Sequence, residues 1–148
     1  MNSSNDDNGN AGAAGHARRF IQSGSRWEEL AGYSRAVVDG DWIMVSGTIG
    51  QDFATGEFPP TADAQCELAL DTIAAALAEA QSNLGDVVRV RVYVPDRADV
   101  VAVSHVLRRR FDANRPANTT VCCALAVEGA KVELEVTARR RRDAPCNA

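Results

Sequence analysis

The chain lacks several things that would mark common function classes. No two of its four cysteines are spaced C-x-x-C, and it has only two histidines. Cys122 and Cys123 are adjacent, so on a strand they would point to opposite faces. Local spacing therefore offers neither a zinc site nor a disulfide framework among Cys66, Cys122, Cys123 and Cys146. Free thiols in a reducing cytoplasm are the simplest account. Basic charge is not in excess: the formal net charge is -4, which argues against general nucleic-acid binding. Apolar stretches are broken by charges well short of the ~20 residues a membrane helix needs, so no span is expected. The first residues carry Asp6 and Asp7 without an apolar run, so no secretory signal is expected.

What is present is ordinary globular material, 45% hydrophobic over 148 residues, enough for one domain. Residues 1–25 are rich in Asn, Gly, Ala and Ser and read as a disordered or loosely docked arm, with residues 143–148 as a similar tail. A single domain is expected over 26–142. Tyr33–Val38 and Trp42–Ile49 read as strands joined by the turn Asp39-Gly40-Asp41. Thr61–Gln81 reads as a helix, because Cys66, Leu70, Ile73 and Leu77 recur on one helical face. In the next segment Val88, Val90, Val92 and Val94 alternate with Arg89, Arg91 and Tyr93, which predicts a half-buried strand stopped by Pro95. Val100–Ala113 reads as a second helix, with Val103, Val106, Leu107 and Arg110 on neighbouring turns. Thr119–Val127 and Lys131–Ala138 read as strands around the turn Glu128-Gly129. The order β-β-α-β-α-β-β predicts an α+β fold, with two helices on one face of a mixed sheet.

Several segments together resemble one known family. They are Gly32-Tyr33-Ser34-Arg35-Ala36-Val37, Ile43-Met44-Val45-Ser46-Gly47-Thr48-Ile49, Thr55-Gly56-Glu57, Val88–Asp96, Pro116-Ala117 and Lys131-Val132-Glu133-Leu134-Glu135. In this order and spacing they resemble the reactive intermediate deaminase (Rid, or YjgF) family over roughly Tyr33–Arg140. The resemblance implies a chorismate-mutase-like fold and a homotrimer whose sheets form a barrel, with three ligand clefts between subunits. It implies no metal and no organic cofactor. It places Tyr33, Gly47 and Glu133 in the cleft, with Glu133 positioning a water. It also sets Ser104 where members have an asparagine, and Asn118 where they have a carboxylate-binding arginine.

That last departure matters physically. An arginine holds a carboxylate by two parallel charge-assisted hydrogen bonds, each contributing roughly 1.5–3 kcal/mol. An asparagine keeps a donor and an acceptor but no charge. Losing the clamp weakens a carboxylate ligand by about one to three orders of magnitude. Arg35 lies two residues after Tyr33 on the same expected strand, so both side chains share a face, and it is the first candidate for a replacement cation; Arg91 and Arg115 are weaker ones. Thr120 and Cys122 share the face of Asn118 by strand alternation and join the candidate binding residues. Cys122 has no histidine nearby in sequence to activate it as a nucleophile, since the histidines are His16 and His105. Arg108-Arg109-Arg110 and Arg139–Arg142 invite an RNA reading, and some family members carry an endoribonuclease label, but basic runs in an acidic chain usually form solvated faces.

The expected function is hydrolysis of a small reactive enamine or imine, with Glu133 catalytic and Tyr33, Arg35, Gly47, Ser104, Asn118, Thr120 and Cys122 binding substrate. The alternatives are a non-catalytic trimer that binds a small molecule, or another reaction on the same scaffold, such as a different hydrolysis or a tautomerisation.

Overall fold

A computed structural model describes residues 17–141. One six-stranded sheet runs β1 (Arg19–Ile21), β2 (Ala36–Asp39), β3 (Trp42–Ile49), β6 (Glu133–Arg139), β4 (Val87–Val94) and β5 (Ala117–Cys122). All neighbours are antiparallel except β4 and β5. A parallel pair needs a long crossover; helix α3 (Val100–Phe111) supplies it. β3 and β4 both run against β6, so they are parallel to each other, and helix α2 (Ala62–Glu79) makes that second crossover. The short helix α1 (Arg26–Ala31) joins β1 to β2. The α+β architecture is as expected. No helix among the described residues is long and apolar enough to cross a membrane.

The predicted helical stripe is the core: Cys66, Leu70, Ile73 and Leu77 of α2 are wholly buried. They meet Val90, Val92 and Val94 of β4 and Val132, Leu134, Val136 and Ala138 of the final segment in one cluster. Burial raises the Cys66 thiol to about 12, leaving it protonated and inert. On α3 the buried positions are Val103, Val106, Leu107 and Phe111. Arg110 instead reaches Glu67 and Asp71 on α2, at 2.7 and 2.9 Å.

Four expectations are corrected. The arm is not loose throughout: Arg19–Ile21 pairs with β2, and Ile21 is 2% exposed. The Arg18–Asp39 ion pair and a bond from Arg19 to the Glu79 carbonyl add to this docking, so the ordered part begins before residue 26; residues 1–16 and 142–148 lie outside the described residues. Tyr33 precedes its strand rather than opening it, because its backbone N–H closes the end of α1 on the Glu28 carbonyl. Val88 is exposed and Val87 buried, because the β4–β6 register shifts between Val87 and Arg89. Such a bulge inserts one residue and turns the following side chains over. Finally, β5 stops at Cys122 rather than Val127. Its partner β4 ends at Val94, paired with Cys122, and Pro95 has no N–H to continue the ladder.

Candidate functional site

The β2–β3 hairpin closes through Gly40, whose φ of 61° suits a two-residue turn. It aligns β3 against β6 with an interruption: Val45 pairs with Val136, but the next pair is Thr48 with Leu134. Two residues on β3, Ser46 and Gly47, therefore face one on β6, Glu135, which is a bulge. The extra residue turns Thr48 into the interior, where it is 1% exposed, and lays Gly47 against Glu133. A Cβ on Gly47 would overlap Glu133 Oε1 and lie 3.1 Å from its Cδ. Only glycine leaves room for the carboxylate there.

Glu133 lines a half-open pocket of about 450 Å³ with Tyr33, Arg35, Gly47, Phe53 and Val127. Burial is the largest influence on its carboxyl and raises its pKa. The neighbouring Glu135 pushes the same way and Arg35 opposes both. Glu135 is itself held by Arg91 Nη1 at 2.7 Å and by the Tyr93 hydroxyl at 3.1 Å. A carboxyl displaced toward neutral pH beside an apolar wall can both accept and return a proton.

Arg35 is the fixed cation of this pocket. It is 4% exposed, donates through Nε to Glu28 Oε1 at 3.2 Å, and donates through Nη1 to the Gly47 carbonyl and Thr48 Oγ1, both at 3.0 Å. Its guanidinium carbon stands 6.0 Å from the Tyr33 ring centre. Glu28 also accepts from the Ser23 N–H and hydroxyl, so the buried pair is satisfied on both sides. Within one chain Arg35 does not stand beside Asn118, and its Nε and Nη1 are taken by Glu28, Gly47 and Thr48, so those bonds hold the bulge in shape.

The remaining candidates lie elsewhere on the subunit. Asn118, Thr120 and Cys122 pair with Val90, Val92 and Val94, so they share the helix-facing side of β5. All six β5 residues are exposed. Thr120 Oγ1 donates to Asn118 Oδ1 at 3.1 Å. Asn118 lines a second pocket, of about 440 Å³, between β5 and α3. Ser104 is exposed on α3 and donates to the Val100 carbonyl. Within one chain, then, Tyr33, Arg35, Gly47 and Glu133 come together, whereas Ser104, Asn118, Thr120 and Cys122 do not join them. Of the weaker replacement cations, Arg91 is paired with Glu135 and Arg115 with Asp112.

Three residues that shape the pocket escaped sequence reasoning. Glu28 could have been flagged by Ser25-x-x-Glu28, the signature of a helix start, and Ser25 does cap α1. Gln65 had no such signal. It is 1% exposed, donates to the Pro59 and Gly129 carbonyls and accepts from the Lys131 N–H, tying together the loops that carry Phe53 and Val127. Thr48 was hidden by the bulge. Among the described residues no cluster of His, Cys, Asp and Glu could hold a metal ion.

Comparison with known proteins places this arrangement. The family described as endoribonuclease L-PSP matches residues 23–140. The uncharacterized protein SCO2049 of Streptomyces coelicolor is 39% identical over 105 residues, 70% of this chain and 77% of that one. A 2-iminobutanoate/2-iminopropanoate deaminase of Escherichia coli K12 is 33% identical over 112 residues, 74% of this chain and 88% of that enzyme. The crystal structure of Rv2704 from Mycobacterium tuberculosis, a member of the YjgF/YER057c/UK114 family, superposes with a TM-score of 0.77 at 37% identity, covering 84% of this chain and all of that one. The sheet order, the Gly47 bulge over Glu133 and these matches lead to one conclusion: the chain belongs to the Rid/YjgF family, the group described as endoribonuclease L-PSP.

Proposed function

We propose that the protein is a hydrolytic deaminase of a small enamine or imine, working as a homotrimer with its clefts between subunits. The observation that carries this reading is the Glu133 carboxyl, raised by burial and seated over the Gly47 backbone in a pocket with one apolar side. In the ionised form it takes a proton from water as the water oxygen bonds to the C=N carbon. The C=N π pair moves to nitrogen, which is protonated. The resulting carbinolamine loses ammonia as its hydroxyl proton leaves, and a carbonyl compound remains. An enamine first takes a proton at carbon to become the imine. Positioned proton transfer of this kind contributes typically 10²–10⁴-fold. A deaminase name on a relative 33% identical supports the same chemistry.

The trimer reading is supported by what a single chain leaves open. β5 is an edge strand exposed along its whole length, and exposed edges invite pairing or cover. Trp27, Leu30, Phe53 and Val121 are large apolar side chains at the surface, at 40%, 75%, 50% and 42% exposure. An interface that sets β5 of one subunit against the Glu133 pocket of the next would cover both and unite the two groups of candidate residues.

The test is release of ammonia and keto acid from freshly generated 2-aminoacrylate. Wild type is expected to accelerate release, and Glu133→Gln to lose about 10²–10⁴-fold of it. Asn118→Arg is expected to tighten the carboxylate by about tenfold or more, seen as a lower KM. Wild type without activity on this or related imines would sink the reading. Saturable binding of the keto-acid product without turnover would favour a binding trimer instead, a role that the uncharged Asn118 also fits. Light scattering that reports a monomer would remove the shared cleft.

A further inference from the structure

We propose that Arg108 is a specificity-determining residue: with Asn118 it forms the anion-recognising end of the β5–α3 pocket, which takes a small carboxylate bearing a short hydrocarbon chain. The inference depends on the deaminase reading only for which acid is bound.

The argument begins with a run of three arginines at the end of α3. Two are committed. Arg109 reaches Glu67, and Arg110 spans Glu67 and Asp71, so both serve the packing of α3 on α2. Arg108 makes no hydrogen bond or ion pair among the described residues. A helix turns about 100° per residue, so Arg108 lies about 200° round from Arg110, which bridges Glu67 and Asp71. It sits next to the buried Leu107 and lines the same pocket as Asn118.

The rest of the pocket sorts by chemistry. Val90, Leu107, Phe111 and Pro116 make its apolar part. Asp112 and Arg115 are there too, but they bind one another: Arg115 Nη2 stands 3.1 Å from Asp112 Oδ1, and its Nε donates to the Asp112 carbonyl. Their charges cancel, and Arg108 leaves the pocket net positive. Asn118 Oδ1 accepts from the Thr120 hydroxyl, and both hydrogens of its amide N–H₂ remain to offer an anion. The pocket thus offers a free guanidinium and a neutral amide donor beside apolar side chains, in about 440 Å³. A carboxylate accepts from a guanidinium through two oxygens, and a short hydrocarbon chain fits against Leu107 and Phe111. A bare inorganic anion gains nothing from the apolar side, and a neutral ligand forgoes the bidentate charge-assisted bonds that Arg108 offers. The cation has in effect moved from the strand to the helix that covers it.

The experiment is equilibrium titration of the full chain with 2-oxobutanoate and with its methyl ester, using wild type, Arg108→Gln, Arg108→Lys and Arg109→Gln. Wild type is expected to prefer the acid. Arg108→Gln should weaken the acid by about ten- to hundredfold and the ester by far less. Arg108→Lys should restore part of the loss, since it keeps a charge without the planar fork. Arg109→Gln should match wild type, which separates this pocket from general surface charge. Arg108→Gln binding the acid as tightly as wild type overturns the proposal, as does a wild type that binds acid and ester alike or binds neither. The two readings fail separately. A wild type that binds the acid through Arg108 yet releases no ammonia upholds this proposal and sinks the deaminase. A wild type that deaminates, with KM unchanged in Arg108→Gln, does the reverse.

Discussion

Two arginines show how the same side chain serves opposite ends. Arg35 is buried at 4% exposure, pinned by Glu28, Gly47 and Thr48, and its charge is neutralised inside the fold. Arg108 stands exposed beside a pocket with no partner of its own chain among the described residues. Taking a guanidinium out of water is costly unless its hydrogen bonds and charge are met. A buried arginine is therefore already occupied when a ligand arrives, whereas a free one at a pocket mouth still has its donors to offer. The difference separates a residue that builds a site from one that reads a ligand. It also explains why a cation count near the cleft misleads: Arg35 beside Glu133 is paired with Glu28, and Arg91 is paired with Glu135.

The sharpest way to break the comparison is to remove the partner of Arg35. Glu28→Ala leaves a buried guanidinium uncompensated and also frees the Ser23 donors. We expect a loss of about 3–5 kcal/mol in urea unfolding, against a change within about 0.5 kcal/mol for Arg108→Gln, as at an ordinary surface position. Equal effects on stability would show that Arg35 is not the structural member of the pair.

Gly47→Ala tests the site that Arg35 builds. The new methyl collides with Glu133 Oε1 and must displace the carboxylate. Misplacement by about 1 Å can cost 10²-fold, so activity should fall by about that factor while the acid still binds at Arg108. A fully active Gly47→Ala protein would mean that the carboxylate does not work from this position.

The smallest effect concerns pH. The Glu133 carboxyl has a higher pKa in the folded protein than its ordinary 4.5, because burial and Glu135 disfavour the charge more than Arg35 favours it. The native state therefore holds this proton more tightly than the unfolded chain. The contribution of Glu133 to stability is most favourable below the ordinary value and declines as pH rises through it to the raised one. Above that, the ionised group is a standing cost that Glu133→Gln removes. The variant should match or exceed wild type in urea midpoint at about pH 8, and the gap should close at about pH 4. Activity in wild type should fall as pH drops through the raised pKa, since the base is then protonated. A variant less stable than wild type at about pH 8 would contradict the cause assigned to the shift.

Much of this was legible in residue order. The helical face of Cys66, Leu70, Ile73 and Leu77 and the alternation through Leu134 and Val136 report burial directly, because their periods match the geometry of helix and strand. Tyr33, Gly47 and Glu133 were marked together by resemblance, and the pocket does unite them. The failures share a cause. Both bulges shift the register by one residue, so strict alternation assigned Val88 to the wrong face and hid Thr48. The pairing of Glu28 with Arg35 crosses a helix end and a turn, where no period operates.

The sequence by itself determined the family, the α+β class and the layering of the core. The family was legible by the resemblance of several segments in order, and the class and layering follow from the spacing of apolar residues along single elements, which is a local property. Only the tertiary structure decided which charges are free. Whether an arginine is matched depends on which acid the fold carries to it, as Glu28 meets Arg35 and Glu67 meets Arg109 and Arg110. That is a property of distances between distant segments, and at short range those distances settle electrostatic worth more than residue type does.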